Sequence, residues 1–404
     1  MRSLILLAPV VAAAMTVGTD FEGGSLGRIE QVSGTHFRLA VKAERDQDGR
    51  NRQATWYYFR ADHAGAKELT LDIVDLPGEY NYQPNRGAIT RDTPPVISYD
   101  NQTWKHVATF EYDPAEPKLV LHILPKHSRF WIAHVPPYTA QNLGRLRSFA
   151  LRHPAFHEQV IGKTVGGRDL VLWTVSAAPL SPDQPAVWLM FRQHSWEAGS
   201  SWAGEGALRA LLRDDAEGRR LRQAIVWKIF PLCDPDGVAR GGVRFNANGY
   251  DLNRNWDVED ARKMPEIAAQ RDAVRARLRD GHTIALYFSL HNTETGEYLE
   301  GPPEQGGDGR FRPLAERFFK ILSAETSFAP ATPLRFADTT TTAGMCGRMT
   351  VVQGLYHDFR IPAFLMEQRI SFNSKLGRLP EAPDRLAFGA ELVAAIGKAI
   401  YSKD

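Results

Sequence analysis

The segment FRQHSWEAGSSWAGEGALRALL sets His194 and Glu197 three residues apart, after an apolar run and just before a helical pattern. A neutral imidazole and a carboxylate at that spacing can converge on one metal ion, and two histidines, a glutamate and a water make a catalytic zinc site. The spacing alone says little. With 12 histidines in the chain, about one His-x-x-Glu is expected by chance. A second one occurs at His291-Asn292-Thr293-Glu294, where His291 ends the apolar run IALYFSLH. The economical ligand set is His194, Glu197 and His291, which leaves Glu294 as a surface carboxylate. The reverse pairing, His291 and Glu294 with His194 as third ligand, satisfies the same chemistry.

Between the two motifs lies DPDGVARGGVRFNANGYDLNRNWD, residues 234–257, rich in Gly and Asn and so read as loop. Loops with this many turn residues and arginines are exposed connections or binding loops on a rigid scaffold. Its Asn253-Arg254 pair suits capture of a carboxylate, because the guanidinium fork matches two oxygens. Farther on, RIPAFLMEQR reads as a short buried strand delivering Glu367 at its end. A partly buried carboxylate beside an activated water is what a general base requires.

These residues need a sheet to gather them. From residue 138 onward, the short apolar runs AVWLMFRQ, IVWKIFPL and IALYFSLH alternate with helical patterns such as SSWAGEGALRALLRD, PEIAAQRDAVRARL and RPLAERFFKILSAE. That alternation predicts an α/β fold with a mixed, mainly parallel sheet covered by helices on both faces, where sites collect at strand ends. Before residue 138 the texture differs. THFRLAVKA, ATWYYFRA, KELTLDIVDL, WKHVATFEYD, KLVLHILP and RFWIAHVPP are strand-length runs separated by turn residues such as DQDGRN and QPNRGAITRDTPP. They predict an all-β sandwich. The expected organisation is a β-sandwich domain at 15–138 and an α/β domain at 139–404.

Composition narrows the partners. Hydrophobic residues at 43%, charged residues at 24% and a net charge of +2 describe an ordinary globular chain, with no electrostatic case for nucleic acid. The opening MRSLILLAPVVAAAMTVG has an arginine, a short apolar run and Ala12-Ala13-Ala14. This is the pattern of a secretory signal over residues 1–14, and it predicts a secreted or periplasmic protein, or a cytoplasmic one if the run is not cleaved. No other stretch approaches the length of a membrane span, so no stable membrane insertion is expected. Two cysteines, Cys233 and Cys346, make no disulfide framework, and whether they pair is open.

Taken together, the strand ending in His-Ser-Trp-Glu (194–197), DPDGV (234–238), GYDLNRNWD (249–257), the strand-borne His291 and the late Glu367 resemble the zinc carboxypeptidases of the carboxypeptidase A superfamily. LGRIE, WYYFRA, ISYDNQTWKHV and HVPPYT are similar to the N-terminal sandwich of its cytosolic-carboxypeptidase branch. The resemblance implies one Zn²⁺ on His194, Glu197 and His291, which prefers the first ligand set. It implies Asp251 orienting His194, Arg244 beside the scissile carbonyl, Asn253 and Arg254 on the substrate's terminal carboxylate, and Glu367 as general base. The implied substrates are peptide or protein C-termini, glutamate among them. A cell-wall amidase and a non-catalytic binding protein on the same fold are the alternatives. Ser289 stands where the family has an aspartate two residues before the third ligand, so that ligand's backing partner is expected to differ. Arg348 and Lys375 are candidates for recognising an acidic side chain.

Overall fold

A computed structural model of the chain describes residues 14–177, 184–304, 309–338 and 348–401. Its N-terminal part packs two five-stranded sheets face to face. One has the order Thr16–Gly18, Tyr58–Asp62, Phe130–Ala133, Val96–Ser98, Lys105–His106, and the other Phe110–Asp113, Lys118–Ile123, Leu69–Val74, His36–Ala40, Ile29–Gln31. The strands alternate buried and half-exposed residues, as Lys118–Ile123 does along its length. Such alternation fills a sandwich core from both inner faces. Here that core includes Leu39, Leu71, Ile73, Leu119 and Leu121 from one sheet and Phe59, Phe130 and Ile132 from the other. Met15 already belongs to it.

The sandwich also carries a small third sheet, ordered Glu44–Arg45, Arg52–Gln53, Gly78–Tyr80, Gln83–Asn85. Its strands are two or three residues long, too short for any period to register. The sequence there reads as turns.

Residues 156–369 build one eight-stranded sheet. Its centre is four parallel strands in the order Val226–Phe230, Ala186–Phe191, Ile284–Thr293, Ala363–Arg369. Ala186–Phe191 is buried at all six positions, the pattern of a strand covered on both faces. Antiparallel strands flank this centre. Phe156–Lys163 pairs with Asp169–Val175 on one side, and Tyr298–Gly301 pairs with Ala363–Arg369 on the other. One face is packed by helices Ala198–Leu211, Arg312–Glu325 and Ala382–Tyr401, and the other by Pro265–Arg279 and Val351–Phe359. Helices Ala198–Leu211 and Ala382–Tyr401 approach closely because each presents a glycine to the other's backbone. A Cβ on Gly206 would fall 2.0 Å from the Leu386 carbonyl oxygen, and one on Gly389 1.9 Å from that of Ala203. Among the described residues no helix is long and apolar enough to cross a membrane. Cys233 is buried and unpaired. Cys346 lies outside the described residues, as does the apolar run before Ala14.

Candidate active site

The strand Ala186–Phe191 ends in a turn that Arg192 makes in the left-handed region, with φ 58°. A non-glycine residue there needs support from its surroundings, and Arg192 supplies its own. Its buried guanidinium donates to the Ser195 carbonyl at 2.8 and 2.6 Å and to Ser201 Oγ and the Tyr138 carbonyl. Burial pulls it down to about 10, opposed by the nearby Glu197 and Asp234 carboxylates. This brace fixes the turn carrying His194 and, as the residue before helix Ala198–Leu211, Glu197. Asn292 ties in the neighbouring strand, accepting from Ser200 N–H and donating to the Gln368 carbonyl.

His194, Glu197 and His291 converge. One donor atom from each lies within 4.8 Å of the others, and all three residues are buried. His194 Nδ1 is 2.6 Å from Glu197 Oε1, and His291 Nδ1 is 3.0 Å from Glu197 Oε2. Even so, neither His291 Nδ1 nor Glu197 Oε2 finds a well-aligned hydrogen-bond partner among the described residues, and both are shut off from solvent. Buried polar atoms left this way call for an explanation. Two imidazole nitrogens and a carboxylate aimed at one point fit a divalent zinc-type cation. The outward nitrogens are anchored, as ligand imidazoles are. Asp251 Oδ1 sits 3.0 Å from His194 Nε2, and Ser289 Oγ sits 2.9 Å from His291 Nε2. Ser289 thus backs His291 as Asp251 backs His194.

The charges follow from these contacts. Burial pushes the Glu197 carboxyl up, but the His194 and His291 imidazoles outweigh it and hold it at about 2. Burial likewise opposes Asp251, which Arg244 and His194 hold well below the usual carboxylate range. Arg244 Nε donates to Asp251 Oδ2 at 2.7 Å, so one carboxylate orients both an imidazole and a guanidinium.

Glu367 pairs in register with His291 across two parallel strands, a separation of about 4.8 Å between backbones. Burial and the Glu197 charge raise it well above the usual range, against Arg244. It lines a cleft of about 1070 Å³ together with Glu197, Arg244, Arg254 and Glu294. Arg254 Nη1 donates to the Asn253 carbonyl at 2.7 Å. Asn253 itself is buried, with Oδ1 accepting from Val351 N–H. Arg348 is close enough for the Arg254 charge to lower its own affinity for a proton, an effect second to burial. Lys375 stands apart: its ammonium caps the carbonyls of Ser323 and Thr326 at the end of helix Arg312–Glu325.

Two residues depart from the sequence reading. Glu294 is no surface carboxylate; it is half-buried in the cleft wall, and burial and then Glu197 raise it to about 7. Tyr80, from the small sheet of the sandwich, reaches the same cleft near Arg254. Burial raises its phenol, but the Arg254 and Arg244 charges leave it below its ordinary value. It lies in GEYNYQPN, which carries no pattern that marks chemistry.

Comparison with known proteins matches two family models in succession. Residues 17–134 match the cytosolic carboxypeptidase N-terminal domain, and residues 144–296 match zinc carboxypeptidase. The chain is 27% identical over 259 residues to an uncharacterized protein of Zymomonas mobilis, covering 64% of this chain and 63% of that protein. It is 27% identical over 288 residues to cytosolic carboxypeptidase 6 of Caenorhabditis elegans, covering 67% and 61%. The match thus spans less than two thirds of either relative. The fold superimposes on a metallo-carboxypeptidase from Burkholderia cenocepacia with a TM-score of 0.80, at 21% identity, over 95% of this chain and 98% of that one. These findings correct the secreted or periplasmic expectation: the sandwich matches the N-terminal domain of the cytosolic carboxypeptidases, and the relatives carry that name.

Proposed function

We propose, from the premise that this chain belongs to the zinc carboxypeptidases and carries their cytosolic-type N-terminal domain, that it is a zinc-dependent metallocarboxypeptidase with a sandwich domain at 15–138 and a catalytic domain at 139–404. One observation carries the reading. Two buried imidazoles and a carboxylate face a single point, with His291 Nδ1 and Glu197 Oε2 lacking a well-aligned hydrogen-bond partner among the described residues, beside a cleft that holds Glu367, Arg244 and Arg254.

His194, Glu197 and His291 would hold the zinc, and a zinc there would supply Lewis acidity to the scissile carbonyl and to a water. Glu367 accepts the proton of the attacking water. Its raised pKa suits a base that must give the proton up again, here to the leaving amine. Arg244, kept cationic by Asp251, donates to the oxygen that becomes negative as the carbonyl carbon turns tetrahedral. Arg254, with Asn253 beside it, binds the terminal carboxylate and so confines cleavage to the last residue. Arg52, Arg91 and Arg369 also line the cleft, and Arg348 lies near Arg254. Together they favour an acidic C-terminal tail, glutamate included.

A panel of peptides differing in the last residue, treated with and without chelator and read by mass spectrometry, tests this. Loss of one terminal residue, fastest from glutamate and abolished by chelator, is expected. In the Arg254→Ala variant KM should rise by about 100-fold, as expected when a charged, bidentate partner is lost. Internal cleavage, or equal cleavage of amidated termini, contradicts the proposal.

A further inference from the structure

The loop that carries Arg244 is held not by its own domain alone but also by the sandwich. After the helical turn Pro235–Arg240 the chain passes Gly241, in the left-handed region at φ 65°, and Gly242. No regular structure follows until helix Pro265–Arg279. Across this entry lies one side chain of the sandwich, Glu44. Its Oε2 accepts three successive backbone N–H groups, from Val243 at 3.0 Å, Arg244 at 2.6 Å and Phe245 at 2.9 Å. Its Oε1 takes Arg240 Nη1 at 2.8 Å. Consecutive N–H groups turned to one point form an anion-binding concavity, and here the anion comes from another domain.

We propose that Glu44 is a positioning residue for the reaction, holding Arg244 where the oxyanion forms, so that the sandwich is a working part of the active site. The inference rests on the metallocarboxypeptidase reading and deepens it. A salt bridge to Arg240 alone would tie two surfaces together and do no more. The backbone contacts differ in kind, because they fix both peptide planes that flank Arg244. From there the contacts run without a break: Arg244 Nε to Asp251 Oδ2 at 2.7 Å, and Asp251 Oδ1 to His194 Nε2 at 3.0 Å. The Trp196 N–H, inside the metal-binding turn, donates to the Val243 carbonyl at 2.9 Å. The same small sheet adds two more neighbours. Gln47 N–H donates to the Gly249 carbonyl at 3.1 Å, and Tyr80 lines the cleft near Arg254. Arg244 and Arg254 therefore each have a residue of the sandwich beside them.

The test uses the zinc-loaded full chain carrying Glu44→Ala, or Glu44→Gln should the first fail to fold. Misplacing a transition-state donor by about an ångström is expected to lower kcat about 10- to 100-fold. KM should stay within about threefold, since the contact matters in the transition state alone. Zinc content should not change. In an Arg244→Ala background the same substitution should alter kcat less than about twofold, because residues acting as a unit are not additive. Amide hydrogen exchange at 243–245 should quicken by about tenfold or more as the acceptor is lost. An unchanged kcat, a loss that persists in the Arg244→Ala background, or undiminished protection at 243–245 each overturns the proposal. If the unsubstituted zinc protein cleaves no peptide, the functional reading fails, and exchange alone decides whether Glu44 fixes the loop.

Discussion

The turn at 192–197 and the loop at 240–257 meet at one cleft, yet they are braced differently. The turn is braced mainly from within. Arg192 ties it to Ser195 and Ser201, and Asn292 ties the following helix to the neighbouring strands. The loop is braced from both sides, by its own domain through Val243, Asp251 and Asn253 and by Glu44 and Gln47 of the sandwich. The three residues that would hold the metal lie on the catalytic domain's own sheet and the turn beside it, whereas the loop that carries Arg244 and Arg254 also meets the sandwich. Asp251 joins the two, since it contacts both His194 and Arg244.

The largest expected effect lies where the two regions meet. Glu367→Gln keeps the shape of the cleft and removes the base, so turnover should fall by about 10²- to 10⁴-fold with zinc retained. Parallel kinetics and metal analysis check this, and a variant with unimpaired turnover would remove Glu367 from the mechanism. Next comes the turn side of the comparison. Ser289 backs His291 through one hydrogen bond. Ser289→Ala should weaken zinc about 10- to 100-fold in a chelator competition, with KM for peptides unchanged at saturating zinc. If zinc affinity is indifferent to it, the imidazole is oriented by packing alone.

The smallest effect concerns a contact of the sandwich with the turn itself. His134 lies between Tyr57 and Trp196, and neither of its nitrogens has a partner among the described residues. Burial lowers it from 6.5 to about 3. Its folded pKa is depressed, so between pH 3 and 6.5 the unfolded chain binds the extra proton. Stability is thus complete above pH 6.5 and falls as the pH drops, by about 1.4 kcal/mol for each unit. Urea unfolding at pH 7 and pH 5 should show a loss of about 2 kcal/mol from this residue. His134→Leu should make the loss smaller by that amount. An unaltered pH dependence would show that the imidazole stays neutral for no energetic reason.

Much of the metal side was legible in the sequence because its signals are local. His194 and Glu197 stand at a strand end and a helix start, and His291 and Glu367 each lie two residues before the end of a strand. The parallel register then sets Glu367 beside His291. The loop side was legible only in part. Arg244 and Arg254 lie in a stretch plainly suited to binding, but part of what holds them comes from about 200 residues upstream. The strands at Glu44–Arg45 and Gly78–Tyr80 are too short to show a period, and their Asp, Gly and Asn neighbours read as turns. Glu294 was misjudged because nothing local shows that the chain beyond Thr293 stays against the cleft wall. Lys375 failed as a substrate contact because the C-terminal carbonyls of a helix claim its ammonium, a partner invisible until the helix is placed.

Zinc X-ray absorption on the purified full chain, quantified per molecule, reaches the account's foundation most directly. About one zinc per chain should be found, with two imidazole nitrogens and a carboxylate oxygen at about 2.0–2.2 Å. Fewer than about 0.2 zinc per chain after loading, or a first shell without imidazole, would contradict a metal centre at His194, Glu197 and His291.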